Sequence, residues 1–173
     1  MVFQPTEQND TNNPRRVSDR MNIMANTYSH CYNHIVFSTK NRIDLITPDI
    51  EERVWAYIGG IARKHNMAAI QVGGIDNHIH ALTSSPPSVA PSQIAQWIKG
   101  GSSHWIHNEF QNLNNFAWQD GFGVFAVCKS HASKVVEYIK NQRKHHEKQT
   151  FEEEYIELLT LHEIEFDERY LFG

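Results

Sequence analysis

The chain has 173 residues, of which 40% are hydrophobic and 21% charged, and it carries a formal net charge of −4. That length suits one domain with a sizeable core and trimmings at its ends. No uninterrupted apolar run approaches the ~18 residues of a membrane span, and Cys31 and Cys128 are too few and too far apart for a disulfide framework or a cysteine zinc site, so a soluble cytoplasmic protein with no membrane partner is expected.

Residues 1–24 are polar, rich in Asn, Thr, Pro and Arg and without periodicity, and read as a disordered leader. Met21 and Met24 each offer an alternative start. His34 to Thr39 is a β-rich run and predicts the first strand. Thr47-Pro48 supplies an N-cap and a first-turn proline for a helix that carries Ile50, Val54, Tyr57, Ile58 and Ile61 at helical spacing and stops near Asn66. Met67 to Val72 predicts a second strand, Gly73, Gly74, Asp76 and Asn77 the turn, and His78 to Thr83 the returning third strand. Ser84 to Pro91 is a loop. A second helix is expected from Ser92 to Phe110, with a kink or a close backbone approach at Gly100-Gly101-Ser102-Ser103. Phe116 to Val127, turning at Asp120-Gly121, supplies one or two more strands. Ser130 is expected to cap a basic helix that runs to about Lys148. Phe151 to Leu159 predicts a short amphipathic helix, and the Tyr170-Leu171-Phe172 end is apolar enough to dock on a neighbour. The order β-α-β-β-α-β-α predicts an α+β fold, a ferredoxin-like or RRM-like antiparallel sheet with helices on one face. The expected organisation is a leader over 1–24, a catalytic domain over 25–148 and a docking tail of the same domain over 149–173.

The net acidity conceals an uneven distribution. Residues 151–173 hold eight acids against Arg169 alone, which leaves residues 1–150 with 15 basic and 12 acidic side chains. Lys129, Lys134, Lys140, Arg143, Lys144 and Lys148 concentrate between residues 129 and 148, in and just before the predicted basic helix, where they can contact phosphates although the whole chain is acidic.

Two short runs carry chemistry. In His78-Ile79-His80, strand alternation turns both imidazoles to one side of a sheet, close enough to hold one metal ion. In Tyr138-Ile139-Lys140-Asn141-Gln142, helical spacing puts the phenol and the Gln142 amide on one face. Neutral imidazole and amide ligands leave a divalent ion its full field for phosphate oxygens, and a phenol in line with such a phosphate splits one displacement into two reversible steps. That chemistry is DNA strand cleavage through a covalent phosphotyrosine. Taken singly, each run has a plainer reading, a satisfied or surface His pair and a packing tyrosine, and the separate pair His145-His146 reads as a weak surface metal site or as solvated.

The same residues carry a resemblance. His78-Ile-His80 resembles the His-hydrophobic-His motif of the HUH endonucleases, and Tyr138-Ile-Lys-Asn-Gln142 the tyrosine helix of their single-tyrosine transposases. His34 to Arg42 is similar to that family's first strand and turn, Trp118 to Val127 to the segment before the tyrosine helix, and Asp167 to Leu171 to the tail. The resemblance spans about residues 27–171, with motifs in family order. It implies a small bacterial insertion-sequence transposase acting in the cytoplasm at the nucleoid, with Tyr138 as nucleophile and His78, His80 and Gln142 as ligands of Mg²⁺ or Mn²⁺. No nucleotide cofactor is needed. It further implies single-stranded DNA with hairpin-forming ends as partner, and a homodimer in which Tyr138 can serve its own His pair or the partner's. Lys134, Lys140, Arg143 and Lys144 are the candidate DNA contacts. Edge pairing near Phe37 or Val124 and the apolar tail offer physical routes to the dimer.

Two other readings compete. One is a domesticated enzyme that nicks and rejoins DNA at repeat palindromes. The other is a non-catalytic single-strand nucleic-acid binding module, in which Phe37, Trp55, Trp97, Trp105, Phe116 and Trp118 stack bases.

Overall fold

A computed structural model describes residues 28–172. The expected leader over 1–24 lies outside the described residues. Four strands form one antiparallel sheet: β1 Cys31–Ser38, β2 Ala68–Ile75, β3 His78–Ser85 and β4 Gly123–Val127, in spatial order β2-β3-β1-β4. The helices are α1 Glu51–Lys64, α2 Pro91–Glu109, α3 Ala132–Lys140, α4 Gln142–His145, α5 Phe151–Leu161 and α6 Glu168–Leu171. This is the ferredoxin-like α+β arrangement expected from the sequence, with the two crossover helices α1 and α2 on one face.

Alternation along β1 and β3 separates two cores. Ile35, Phe37, Ile79 and Ala81 pack with Val54, Ile58 and Ala62 of α1 and Ile94, Ile98 and Ile106 of α2. The opposite face of the same strands carries His34, Val36, His78, His80 and Leu82, and it is covered by the C-terminal helices. Leu82 packs with Ala132 and Ile139 of α3, and Val36 with Phe151, Tyr155 and Leu159 of α5. Helices therefore cover both faces of the sheet, and the segment expected to be a docking tail supplies α5 to the second layer beside α3.

Several local expectations shift. Pro48 to Ile50 form a turn closed by bonds to Thr47 O, and the helix proper starts at Glu51. Gly73 and Gly74 lie inside β2, so the hairpin turns on Asp76 and Asn77 alone. α2 runs through its glycines, and the anticipated close approach is real: a Cβ on Gly101 would stand 2.9 Å from Ile61 Cδ1. Ser130 lies in a single 3₁₀ turn and does not cap α3. The apolar end docks on its own chain, since Phe172 packs on Phe151 and Tyr155, and Arg42 stands 5.1 Å above the Phe172 ring while pairing with Glu152.

The aromatic residues of the binding-module reading are accounted for by packing. Phe37, Phe116 and Trp118 are buried, and Trp55, Trp97 and Trp105 pack partly buried against the same core. Phe37 also sits on a central strand, so its run cannot extend the sheet to a second copy; β2 and β4 form the edges. Cys31 and Cys128 are free thiols. Among the described residues no helix is long and apolar enough to cross a membrane.

Candidate metal and nucleophile centre

His78 and His80 occupy alternate positions of β3 and are fully buried on the face covered by α3 to α5. His34 reaches the same spot from β1, where its neighbours pair with β3 in register. Close approach of α3 depends on β2: a Cβ on Gly73, the partner of His80, would lie 2.9 Å from Ile139 Cγ2 and 3.0 Å from Ile139 O. Tyr138 precedes that contact by one residue. α3 then stops at Asn141, whose φ and ψ of −97° and 16° leave the helical basin, and α4 resumes at Gln142. The expected continuous helix is thus broken between the phenol and the amide, yet both still face the His pair. α5 begins at a full capping box between Thr150 and Glu153. Its buried side chains are Phe151, Glu154, Tyr155 and Leu159, which places one carboxylate inside an apolar stripe.

That carboxylate is the hub of the site. Glu154 Oε1 accepts from the Tyr138 hydroxyl and, at 2.8 Å, from Gln142 Nε2. Oε2 lies 3.2 Å from His146 Nε2, 3.3 Å from His80 Nε2 and 3.7 Å from His78 Nε2. Tyr138 stands edge-on to the rings of His34 and His80 of its own chain.

The hydrogen bonds decide which lone pairs face inward. Asn77 Nδ2 donates to Asp44 Oδ1, so Asn77 Oδ1 accepts from His78 Nδ1 at 2.9 Å. Neutral His78 then carries its proton on Nδ1 and presents the Nε2 lone pair, 3.0 Å from Gln142 Oε1, which is also an acceptor. His80 Nδ1 is 3.0 Å from His34 Nε2, while His80 Nε2 is buried without a hydrogen-bond partner. Two acceptors facing each other beside an orphaned ring nitrogen and a carboxylate oxygen make a pocket that suits a cation. His78, His80 and Glu154 each offer one ligand atom, all within 4.8 Å of one another, and so form a group able to hold a metal ion.

Electrostatics agree with that geometry. Burial, reinforced by the neighbouring His80, pushes His78 down to about 3, and burial likewise holds His34 well below the usual imidazole range. Burial alone would raise Glu154, but attraction to His80 and the hydrogen bonds of His146 and Tyr138 outweigh it and keep the carboxylate ionised. Burial first, and then the Glu154 charge, raise Tyr138 above its ordinary value, so the phenol rests protonated. Burial disfavours charge on His146, but its bond to Glu154 prevails and raises it.

The predicted residues fall into two groups. His78, His80, Tyr138 and Gln142 converge. Of the basic candidates, Lys134 and Lys144 line an open groove of about 1000 Å³ beside Tyr138, together with Lys148. Lys140 instead pairs with Glu137, and Arg143 turns away to Glu51 and Asp76. Three site residues escaped the sequence reading. Glu154 was hidden in an acidic run, and its signal is the charge set at apolar spacing between Phe151, Tyr155 and Leu159. His146, expected at the surface, turns inward to Glu154 and Gln142. His34 shares its strand face with Val36 and shows in the sequence only as part of a strand.

The chain is similar to known proteins. Residues 27–142 match the family described as transposase, IS200 like. The transposase for insertion sequence element IS200 of Salmonella typhimurium is 29% identical over 124 residues, covering 69% of this chain and 81% of that protein. The ISDra2 transposase TnpA of Deinococcus radiodurans is 18% identical over 114 residues, 63% of this chain and 81% of its own. A crystal structure of a Deinococcus radiodurans R1 chain described as a candidate transposase superposes with a TM-score of 0.58 at 17% identity, over 70% of this chain and 98% of that one. A REP-associated tyrosine transposase bound to a REP hairpin gives 0.53 at 18% identity, over 73% and 74%. These two structures share the fold.

Proposed function

The chain belongs to the IS200-like transposase family, and from that premise we propose that it cleaves and rejoins single-stranded DNA through a 5′-phosphotyrosine on Tyr138, assisted by a divalent metal ion. The observation that carries this reading is the convergence of Tyr138 and Gln142 on His78 and His80, whose ring nitrogens lack the donors that would satisfy them. His78, His80 and Gln142 are the expected ligands of Mg²⁺ or Mn²⁺. When bound, the ion polarises the scissile phosphate and offsets the charge of the attacking oxygen. The chain's own residues do the rest. Glu154 orients the Tyr138 hydroxyl, the Asn77 and His34 contacts aim the ring nitrogens of His78 and His80, and the apolar neighbours of α5 keep water from the site.

The DNA is expected to enter along the groove between Tyr138, Lys134, Lys144 and Lys148, where phosphates meet ammonium groups. Hairpin-forming ends are the proposed substrate class, as in the relative solved with a REP hairpin. A homodimer joined through an open sheet edge, β2 or β4, belongs to the same proposal. The test is a covalent-trapping assay with hairpin-bearing single-stranded oligonucleotides and Mn²⁺. Wild-type protein should leave a denaturant-resistant protein–DNA adduct, and Tyr138→Phe or excess EDTA should abolish it. An adduct from the Phe variant at wild-type yield overturns the nucleophile, and full cleavage in EDTA overturns the metal.

A further inference from the structure

The two oxygens of Glu154 face different parts of the centre. Oε1 holds the reacting hydroxyl of Tyr138 and the amide of Gln142, whereas Oε2 stands within 3.7 Å of the inward nitrogens of both His78 and His80. The side chain is 1% exposed, so solvent does not compete for either oxygen. The buried carboxylate is already bonded to Tyr138, Gln142 and, at 3.2 Å from Oε2, His146, and with the imidazoles of His78 and His80 it makes a donor set that binds first-row divalent ions such as Mn²⁺.

We propose that Glu154 is a shared carboxylate: Oε2 completes the divalent-metal site with His78 and His80, while Oε1 holds the Tyr138 hydroxyl at a fixed position beside that site. This rests on the metal-dependent tyrosine reading and adds to it a metal ligand from α5 that is shared with the hydroxyl. Gln142 then serves both sides of the site, its Nε2 donating to Glu154 Oε1 while its Oε1, an acceptor facing the acceptor nitrogen of His78, stays free to reach the ion. The proposal makes α5 part of the reaction centre, because Phe151, Tyr155 and Leu159 fix the depth of Glu154 against Val36 and Phe125. It also assigns the site a preference for Mn²⁺ over Mg²⁺, since Mg²⁺ favours oxygen ligands and retained waters.

The test uses the whole chain, stripped of metal, and follows Mn²⁺ alone by electron paramagnetic resonance and calorimetry. Glu154→Gln keeps the shape and an acceptor for Tyr138 but removes the charge, and it should weaken Mn²⁺ binding about 10–100-fold. Glu154→Asp, which keeps the charge at a shorter reach, should recover part of that loss. Tyr138→Phe should change Mn²⁺ affinity less than about threefold, because it meets the other oxygen. At saturating Mn²⁺ the Gln variant should still form adduct more slowly than wild type, because a neutral amide oxygen holds the Tyr138 hydroxyl less firmly than a carboxylate does. Circular dichroism melts confirm folding, and should Glu154→Asp fail to fold, the Gln variant decides alone. Mn²⁺ affinity of Glu154→Gln within twofold of wild type, or no Mn²⁺ binding by wild type, overturns the proposal. An adduct surviving in Tyr138→Phe overturns only the nucleophile reading.

Discussion

Tyr155 neighbours Glu154 in the chain and has the opposite part to play. Its ring fills the space between Phe151, Phe125 and Phe172, and burial pushes its phenol up to about 12 from an ordinary value of 10.0. The neutral phenol is favoured in the folded state, so its contribution is complete below pH 10 and is lost as pH rises from 10 to about 12, where the unfolded chain ionises first. Thermal midpoints should fall across that window by the equivalent of roughly 2–3 kcal/mol. Tyr155→Phe should flatten that fall, and an unchanged pH profile would refute the assignment. Residues of this kind also show what the sequence displays. His78, His80, Tyr138 and Gln142 were legible because each pair sits at a strand or helix period, a local property. Glu154, His34 and His146 were not, because their roles arise only when α5, β1 and α4 meet, and an acid in an acidic run looks solvated.

Among the elements, β2 and α3 are in close contact. Gly73 faces Ile139 with no room for a methyl group, and a Cβ on Gly74 would meet His78 O at 2.1 Å. Gly73→Ala should destabilise the fold by about 1–3 kcal/mol through overpacking. It should also slow adduct formation at a temperature where the protein remains folded, because relief comes by moving α3, and Tyr138 with it. Melting curves and single-turnover rates check the two effects; a variant that loses stability but keeps its wild-type rate shows that β2 yields and α3 does not. The strand and helix order was readable from periodicity, and the placement of the glycines was not. Gly-Gly before Asp-Asn has turn composition, yet pairing with β3 and the need for a flat seat under α3 draw both glycines into the strand. The break at Asn141 was equally hidden, since the polar residues about it suit a helix in isolation.

For the whole molecule, the geometry bears on which chain supplies the nucleophile. Tyr138 lies against the His pair of its own chain, so a mixture of Tyr138→Phe and His78→Ala proteins should form no adduct. Recovery towards about a quarter of wild-type yield, one intact site in each heterodimer, would instead show that helices exchange between subunits. The tail that seemed suited to a partner is spent on its own fold, with Arg42 and Glu152 closing it over the sheet. The two-faced sheet has one more consequence, for how such a protein can change over generations. Odd-numbered positions of β1 and β3 (Ile35, Phe37, Ile79, Ala81) pack against α1 and α2, while even-numbered ones (His34, Val36, His78, His80) look towards the chemistry. Inheritance can therefore retune durability through one parity and reaction through the other, along the same eight-residue strands.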